Sequence, residues 1–365
     1  MTELISPARG AVLSVLTDVQ REFLRRQKEG LIDGSAEKHY WDSSAFGWLP
    51  DSRDPRRDLT APAAVLIRFR TDDPLAPVKV EVSERDDFSV PAAVTIGRIE
   101  QSAEEEGVFH AILTNLTPGR RYFWRVTAGE LSATGEFSAR DEEMCPKDIE
   151  GTANVRDIGG YPAAGGKRIK YGLFYRGGAL DSRVEDRYRL TRRGKETVND
   201  VLKIRTEIDL RGEDGVFHES EAGPDLKYVM IPSLHYSDMI RDEGPALLKR
   251  IFELLCDREN YPVYIHCQAG ADRTGVAVMF LLGLLGVPDD VIEADYNVTS
   301  LSIDDRRDWR GSLHMDDFLA TLGGISPAPT VSESLRNFLY TVGIPAEKLD
   351  GLRDFFLDAT KGDLI

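Results

Sequence analysis

The chain has 365 residues, 41% of them hydrophobic and 30% charged, and a formal net charge of −16. That length favours two or more domains over one, and the composition suits a globular protein with sizeable buried cores. The acidic balance disfavours nucleic acid or an anionic membrane as the main partner, because the phosphate contribution to binding is repulsive overall. Three cysteines, Cys145, Cys256 and Cys267, are too few and too scattered for a disulfide framework or a zinc cluster. The opening MTELISPARGAVLSVL has no basic segment, and Ser14 breaks its apolar run. The longest apolar stretch, near 276–287, is short for a membrane span. A cytoplasmic protein with no integral membrane segment is expected.

Residues 1–60 read as an N-terminal extension with one helix. In TDVQREFLRRQKEG, Thr17 and Gln20 have capping-box spacing, Val19, Phe23 and Leu24 form an apolar face, and Gly30 stops the run. The following YWDSSAFGWLPDSRDPRRD reads as irregular. From 61 to 140 the pattern turns to period two: AAVLIRFRT, VKVEVSE, AVTIGRIEQ, GVFHAILTNL, RRYFWRVTAG and SATGEFSA are predicted strands separated by turn residues. Short strands at this spacing imply an all-β, immunoglobulin-like sandwich. LTNLTPGRRYFWRV resembles the fibronectin type III pattern through Leu116, Pro118, Gly119, Tyr122 and Trp124, and the resemblance implies a scaffold or protein-interaction module. The aromatic residues are expected in the sandwich core.

A charged linker, ARDEEMCPKD, leads into 141–365, where strands and helices alternate. GLFYRGG, KIRTEIDLR, KYVMIP and YPVYIHC are predicted strands. LTRRGKETVNDV (Thr191 as N-cap), GPALLKRIFELLCDREN and TGVAVMFLLGLLG are predicted helices. The alternation implies an α/β domain, a mostly parallel sheet flanked by helices. Residues 300–365 are helical in character, a candidate lid or cap, and DDRRDWRG (304–311) reads as a solvated helix end or a lid rim.

The chemistry concentrates in HCQAGADRTG, 266–275, a loop between a strand and a helix at the carboxyl edge of the sheet. A helix N-terminus there offers free N–H groups and the positive end of its dipole. With five residues between Cys267 and Arg273, the loop can curl round a phosphate-sized dianion. The amides of Gln268, Ala269, Gly270, Ala271, Asp272 and Arg273 then cradle its oxygens, and the guanidinium binds two of them. Gly270 lets the backbone turn and Gly275 allows close approach at the helix start. The same field favours a nucleophilic thiolate at Cys267. His266 can fix the loop, and Thr274 can donate to the sulfur as it leaves. Asp272, a carboxyl inside an anion cradle, is a candidate general acid for a leaving alkoxide or phenolate; its alternative is a structural carboxylate paired with an arginine.

HCxxGxDRTG resembles the phosphate loop of the cysteine-dependent protein tyrosine phosphatase superfamily, in the bacterial branch of tyrosine and lipid phosphatases. TANVRDIGGY is similar to that branch's NFRDLGG segment, GLFYRGGAL with IRTEIDLR to its strand–RSG–helix–DLR order, and LGVPDDVIEADYNVTS to the helix after the loop. Together these cover roughly 150–300 in order, which is more specific than a lone CxxxxxR. The resemblance implies hydrolysis of phosphomonoesters through a phosphocysteine, with no metal or organic cofactor. It implies a phosphorylated protein or a small phosphomonoester as substrate, through tyrosine or dual specificity. The branch's loop lysine is Ala271 here, which weakens the alternative of a phosphoinositide or inositol phosphate substrate. A catalytically silent phosphate-binding module is the alternative of another class. Related enzymes often carry their acid on a loop after a strand like KYVMIP, which makes Asp238 the rival acid; Asp209 in IDLR suits a buried ion pair better. Asn154, Arg156 and Asp157, with Arg176 and Arg211, are expected to brace the pocket wall. His39, His110, His218, His235 and His314 form no ligand spacing, so no metal site is expected.

Overall fold

Alternating apolar and polar side chains let a strand bury one face and solvate the other, and the first part of this chain follows that rule. The computed structural model describes residues 2–30, 58–72, 77–212, 219–302, 309 and 312–357. Contacts divide the chain into two units, Met1–Thr17 with Pro62–Asp148, and Asp18–Ala61 with Ile149–Ile365. His39, His218, the segment at 40–50 and, Trp309 apart, DDRRDWRG lie outside the described residues.

The first unit holds β1 (Thr2–Ser6), β2 (Ala11–Leu13), β3 (Val65–Thr71), β4 (Val78–Ser83), β5 (Thr95–Ile96), β6 (Glu100–Gln101), β7 (Val108–Thr114), β8 (Arg121–Ala128), β9 (Leu131–Ala139) and β10 (Cys145–Pro146). One sheet has the order β1-β3-β7-β5 with β6 also on β7, and another the order β2-β9-β8-β4. In β3, Val65, Ile67 and Phe69 are buried while Leu66 and Arg70 face water; in β8, Tyr122, Trp124 and Val126 are buried. A Cβ on Gly135 would lie 2.6 Å from the indole nitrogen of its cross-strand partner Trp124 and 3.0 Å from a methyl of Leu4, so the indole lies over that position only because it is glycine. The Tyr122 hydroxyl accepts the Thr117 N–H at 2.7 Å, which ties the turn before β8.

AVTIGRIEQ, predicted as one strand, is two short ones. Gly97 N–H reaches Ile112 O at 2.7 Å, and the chain then rejoins β7 at Glu100 opposite His110. β1 pairs with β3, β2 pairs with β9, and the next eleven helical residues belong to the second unit. The buried Glu142 carboxylate accepts the N–H groups of Val15 and Leu16 at 2.8 and 3.1 Å, anchoring the end of this strand pair.

The second unit is α/β. Its strands are β11 (Arg156–Asp157), β12 (Phe174–Gly177), β13 (Thr206–Asp209), β14 (Lys227–Met230) and β15 (Val263–His266), in the order β11-β12-β15-β13-β14. β11 is antiparallel to β12, and the other four are parallel. The helices are α1 (Asp18–Lys28), α2 (Arg192–Glu196), α3 (Gly244–Leu255), α4 (Asp272–Leu285), α5 (Asp289–Val298), α6 (Leu313–Ile325), α7 (Val331–Leu339) and α8 (Ala346–Phe356). Period two divides β15 between two cores. Val263 and Ile265 join the cluster built with α3, α4, α7 and α8, whereas Tyr264 joins the cluster that includes Val198, Leu202 and Tyr175. Every residue of α4 after Asp272 is buried, as an apolar run without polar face requires. Each large aliphatic side chain buried there contributes about 1.5–3 kcal/mol. Among the described residues no helix is long and apolar enough to cross a membrane.

Candidate active site

Register brings the quoted motifs together. Gly177, the last residue of β12, pairs with His266, and so does Asp209, the last residue of β13. The chain then enters the loop 267–271, and α4 begins at Asp272. Cys267 is buried, 3% exposed, and Arg273 in the first turn of α4 is 8% exposed.

Each carbonyl of that loop accepts a hydrogen bond from the surrounding protein. Cys267 O accepts from His266 Nδ1 at 2.9 Å and Gln268 O from Ala179 N at 2.9 Å. Ala269 O accepts from Asn154 Nδ2 at 3.1 Å, while Gly270 O accepts from Asn154 Nδ2 at 3.2 Å and Arg176 Nη2 at 2.7 Å. Ala271 O accepts from Gly275 N at 2.7 Å. Among the described residues, the N–H groups of Gln268, Ala269, Gly270 and Ala271 donate to no protein acceptor. Donors released together at a helix N-terminus make an anion site. Gly270 sits at φ +67, and a Cβ there would come within 2.1 Å of Gly177 O, so the turn requires glycine on both counts.

His266 is buried between two acceptors, with Nδ1 toward Cys267 O and Nε2 2.8 Å from Glu207 Oε1. Burial pushes its pKa down, but the Asp209 charge and the Glu207 bond outweigh that and raise it to about 9. The ring therefore holds both protons at neutral pH and donates at both nitrogens. Thr274 Oγ1 is buried with no hydrogen-bond partner among the described residues, beside the cysteine end of the helix.

The predicted bracing residues form a shell beneath the loop. Arg156 donates Nε to Asp295 Oδ1 at 2.7 Å and Nη1 to Asn154 Oδ1 at 2.7 Å. Arg176 donates Nη1 to Asp295 Oδ2 at 2.5 Å. Burial raises the Asp295 carboxyl, but the charges of Arg156 and Arg176 outweigh it and hold the group down to about 2. Burial, with Arg156 alongside, pushes Arg176 down to about 10, still charged at neutral pH. Arg211 is spent on Asp181 (2.5 Å) and Asp209 (2.7 Å), and its Nη1 reaches Gln268 Oε1 at 3.2 Å. Burial opposes the Asp209 charge, yet His266 and Arg211 hold its carboxyl below the usual range, so it is an ion-pair partner. Asp157 accepts the N–H groups of Gly159 and Gly172 at 2.8 and 2.7 Å and shapes the turns around β11.

The two candidate acids differ in surroundings. Asp272 Oδ1 accepts a hydrogen bond from the Tyr236 hydroxyl, which is itself 2.7 Å from Tyr296 Oη. Burial first, then Tyr296 and Asp272, push Tyr236 well above the ordinary phenol range, so it stays a donor. Tyr236 sits at φ +43 and stacks on His314, ring centroids 5.5 Å apart. A bulky residue in the left-handed region marks backbone held by its surroundings. Asp238, two residues on, is exposed, and its carboxylate has no hydrogen-bond partner among the described residues. The residues that sequence reasoning missed are Asp295, Tyr236, Tyr296, Glu207 and Asp181. The available signal was charge balance, since two arginines beside apolar strands require a buried carboxylate. Among the described residues no group of His, Cys, Asp or Glu side chains could hold a metal ion.

The family described as "Tyrosine phosphatase family" matches residues 147–343. A protein of Cupriavidus necator named "Putative tyrosine-protein phosphatase" is 30% identical over 209 residues, covering 50% of this chain and 70% of that protein.

Proposed function

We propose, from the premise that this chain belongs to the tyrosine phosphatase family, that it hydrolyses phosphomonoesters through a phosphocysteine formed on Cys267. The membership makes the protein a phosphoric monoester hydrolase. The observation that carries the cysteine mechanism is the loop whose carbonyls are all hydrogen-bonded, while four amides between Cys267 and Arg273 donate to no acceptor among the described residues. The Cys267 thiolate attacks phosphorus, the S–P bond forms, and the ester P–O bond breaks. The leaving oxygen takes the proton of Asp272, whose Oδ1 is fixed by Tyr236. Water then attacks the phosphocysteine and gives its proton to Asp272, releasing inorganic phosphate and the thiolate. Arg273 and the loop amides stabilise the charge on the equatorial oxygens, and the buried Thr274 hydroxyl is available to the departing sulfur.

The preferred substrate is a phosphotyrosine-type protein or aryl phosphate, with dual specificity included. Ala271 supports this choice, because Arg273 is then the one cation within 267–275 and serves a single phosphate. The β-rich first unit is read as a fibronectin type III-like partner-binding sandwich, supported by the Tyr122–Thr117 bond and the buried Leu116 and Trp124.

Turnover of p-nitrophenyl phosphate is expected for the wild type and lost in Cys267→Ser. A fully active Cys267→Ser refutes the mechanism, and a wild type silent on every phosphomonoester returns the protein to a phosphate-binding module. A side-by-side panel of phosphopeptides, phosphoinositides and inositol phosphates decides the substrate class.

A further inference from the structure

Part of the brace under the catalytic loop comes from outside the family match, which starts at residue 147. Asn154 aims its amide at Ala269 O and Gly270 O, and so turns two of the loop carbonyls away from the cradle. To do so it sits at φ +61, a conformation that asparagine tolerates but that a neighbour must hold. Its own N–H is donated to Thr60 Oγ1 at 3.0 Å and toward Asp58 Oδ2 at 3.3 Å. The Thr60 hydroxyl hydrogen goes to Asp58 Oδ1 at 2.6 Å, so a lone pair of that oxygen is left facing Asn154.

The 58–61 turn is itself pinned. Gln20 of α1, fully buried, donates Nε2 to Leu59 O at 2.9 Å and Ala61 O at 2.8 Å, and Leu59 N reaches Leu301 O at 2.9 Å. Farther along α1, Gln27 accepts from Asn297 Nδ2 at 3.0 Å and donates to Glu293 Oε1 at 3.2 Å on α5. That helix carries Asp295, and Thr299, just beyond its end, accepts from Asn154 Nδ2 at 3.2 Å.

We infer that Thr60 and Asp58 are positioning residues for the phosphate cradle, acting through Asn154, so that the segment upstream of the matched domain is a working part of the catalytic site. The inference rests on the phosphatase reading above. Its chemistry is simple: the hydroxyl acceptor fixes the Asn154 backbone, which fixes the amide, which holds Ala269 O and Gly270 O outward. A strap with a purely structural role would lower stability and leave the affinity of the cradle alone.

The test is a double-mutant cycle on the full chain, read as competitive inhibition by inorganic phosphate and as kcat/KM on p-nitrophenyl phosphate. Thr60→Val, which keeps shape and removes the acceptor, is expected to weaken phosphate binding roughly three- to tenfold. Thr60→Ser is expected to restore it, and Thr60→Val is expected to add nothing in an Asn154→Ala background. Asp58→Ala, at a half-buried position, carries the same test if Thr60→Val does not fold. An active wild type whose phosphate affinity is unmoved by either variant, or whose Thr60 effect is equal with and without Asn154, overturns the inference alone. A wild type with neither turnover nor phosphate inhibition overturns it together with the phosphatase reading.

Discussion

Asp295→Asn is the sharpest test of the shell beneath the loop. The carboxylate takes hydrogen bonds from Arg156 Nε (2.7 Å), Arg176 Nη1 (2.5 Å) and Tyr161 Oη (3.0 Å), all in buried surroundings. The amide keeps the size but gives back only one acceptor, turns an N–H group toward a guanidinium, and leaves two buried cations short of a counter-charge. Breaking a buried pair in this way costs about 3–5 kcal/mol. At about 2–4 °C per kcal/mol for a unit of this size, the second unit is expected to unfold about 6–20 °C lower. Because Arg176 also holds Gly270 O, kcat/KM on p-nitrophenyl phosphate falls as well. Asp354→Asn, on the exposed side of α8, is the control and is expected to stay within about 0.5 kcal/mol. Thermal unfolding followed by circular dichroism, with parallel kinetics, reads both. An Asp295→Asn variant that unfolds with the wild type and keeps its kcat/KM would show that the arginines are not held by this carboxylate.

Two further outcomes follow from the same geometry. The folded pKa of His266, about 9, lies above its ordinary 6.5, so its contribution is fully present below pH 6.5 and is lost as pH rises through 9. The contribution is roughly 3 kcal/mol; denaturant midpoints from pH 6 to 10 check it, and a flat profile contradicts it. Tyr236→Phe removes the hydrogen bond that fixes Asp272 Oδ1 and is expected to slow hydrolysis of phenyl phosphate about tenfold or more. The effect on p-nitrophenyl phosphate, whose leaving group needs little help, is expected to be much smaller; equal losses on both would remove Asp272 from the acid role.

Local pattern made much of the second unit legible. The sequences GLFYRGG, IRTEIDLR and YPVYIHC are short apolar runs ended by turn or charged residues, and they became β12, β13 and β15. Thr191 caps α2 by accepting Gly194 N–H at 3.1 Å, as its position before a helical run suggested. Gly286, at φ +70, ends α4 as a left-handed cap. The opening segment was illegible for the opposite reason. TELIS and AVL carry little periodicity of their own, and they are strands only because β3 and β9 offer them backbone partners.

By itself the sequence determined the spacing of Cys267, Gly270 and Arg273, the helix that follows, and the acidic character of the whole, because these depend on neighbours along the chain. The tertiary structure alone decided that Arg211 and Asp209 pair with each other and Asp181, and that Asp295 neutralises Arg156 and Arg176. It alone put Tyr236 on Asp272 and joined Thr60 to Asn154 across 94 residues. The physical reason is that a buried charge or polar group is satisfied by whatever packing brings within about 3 Å of it, and no periodicity in the chain encodes which group that will be.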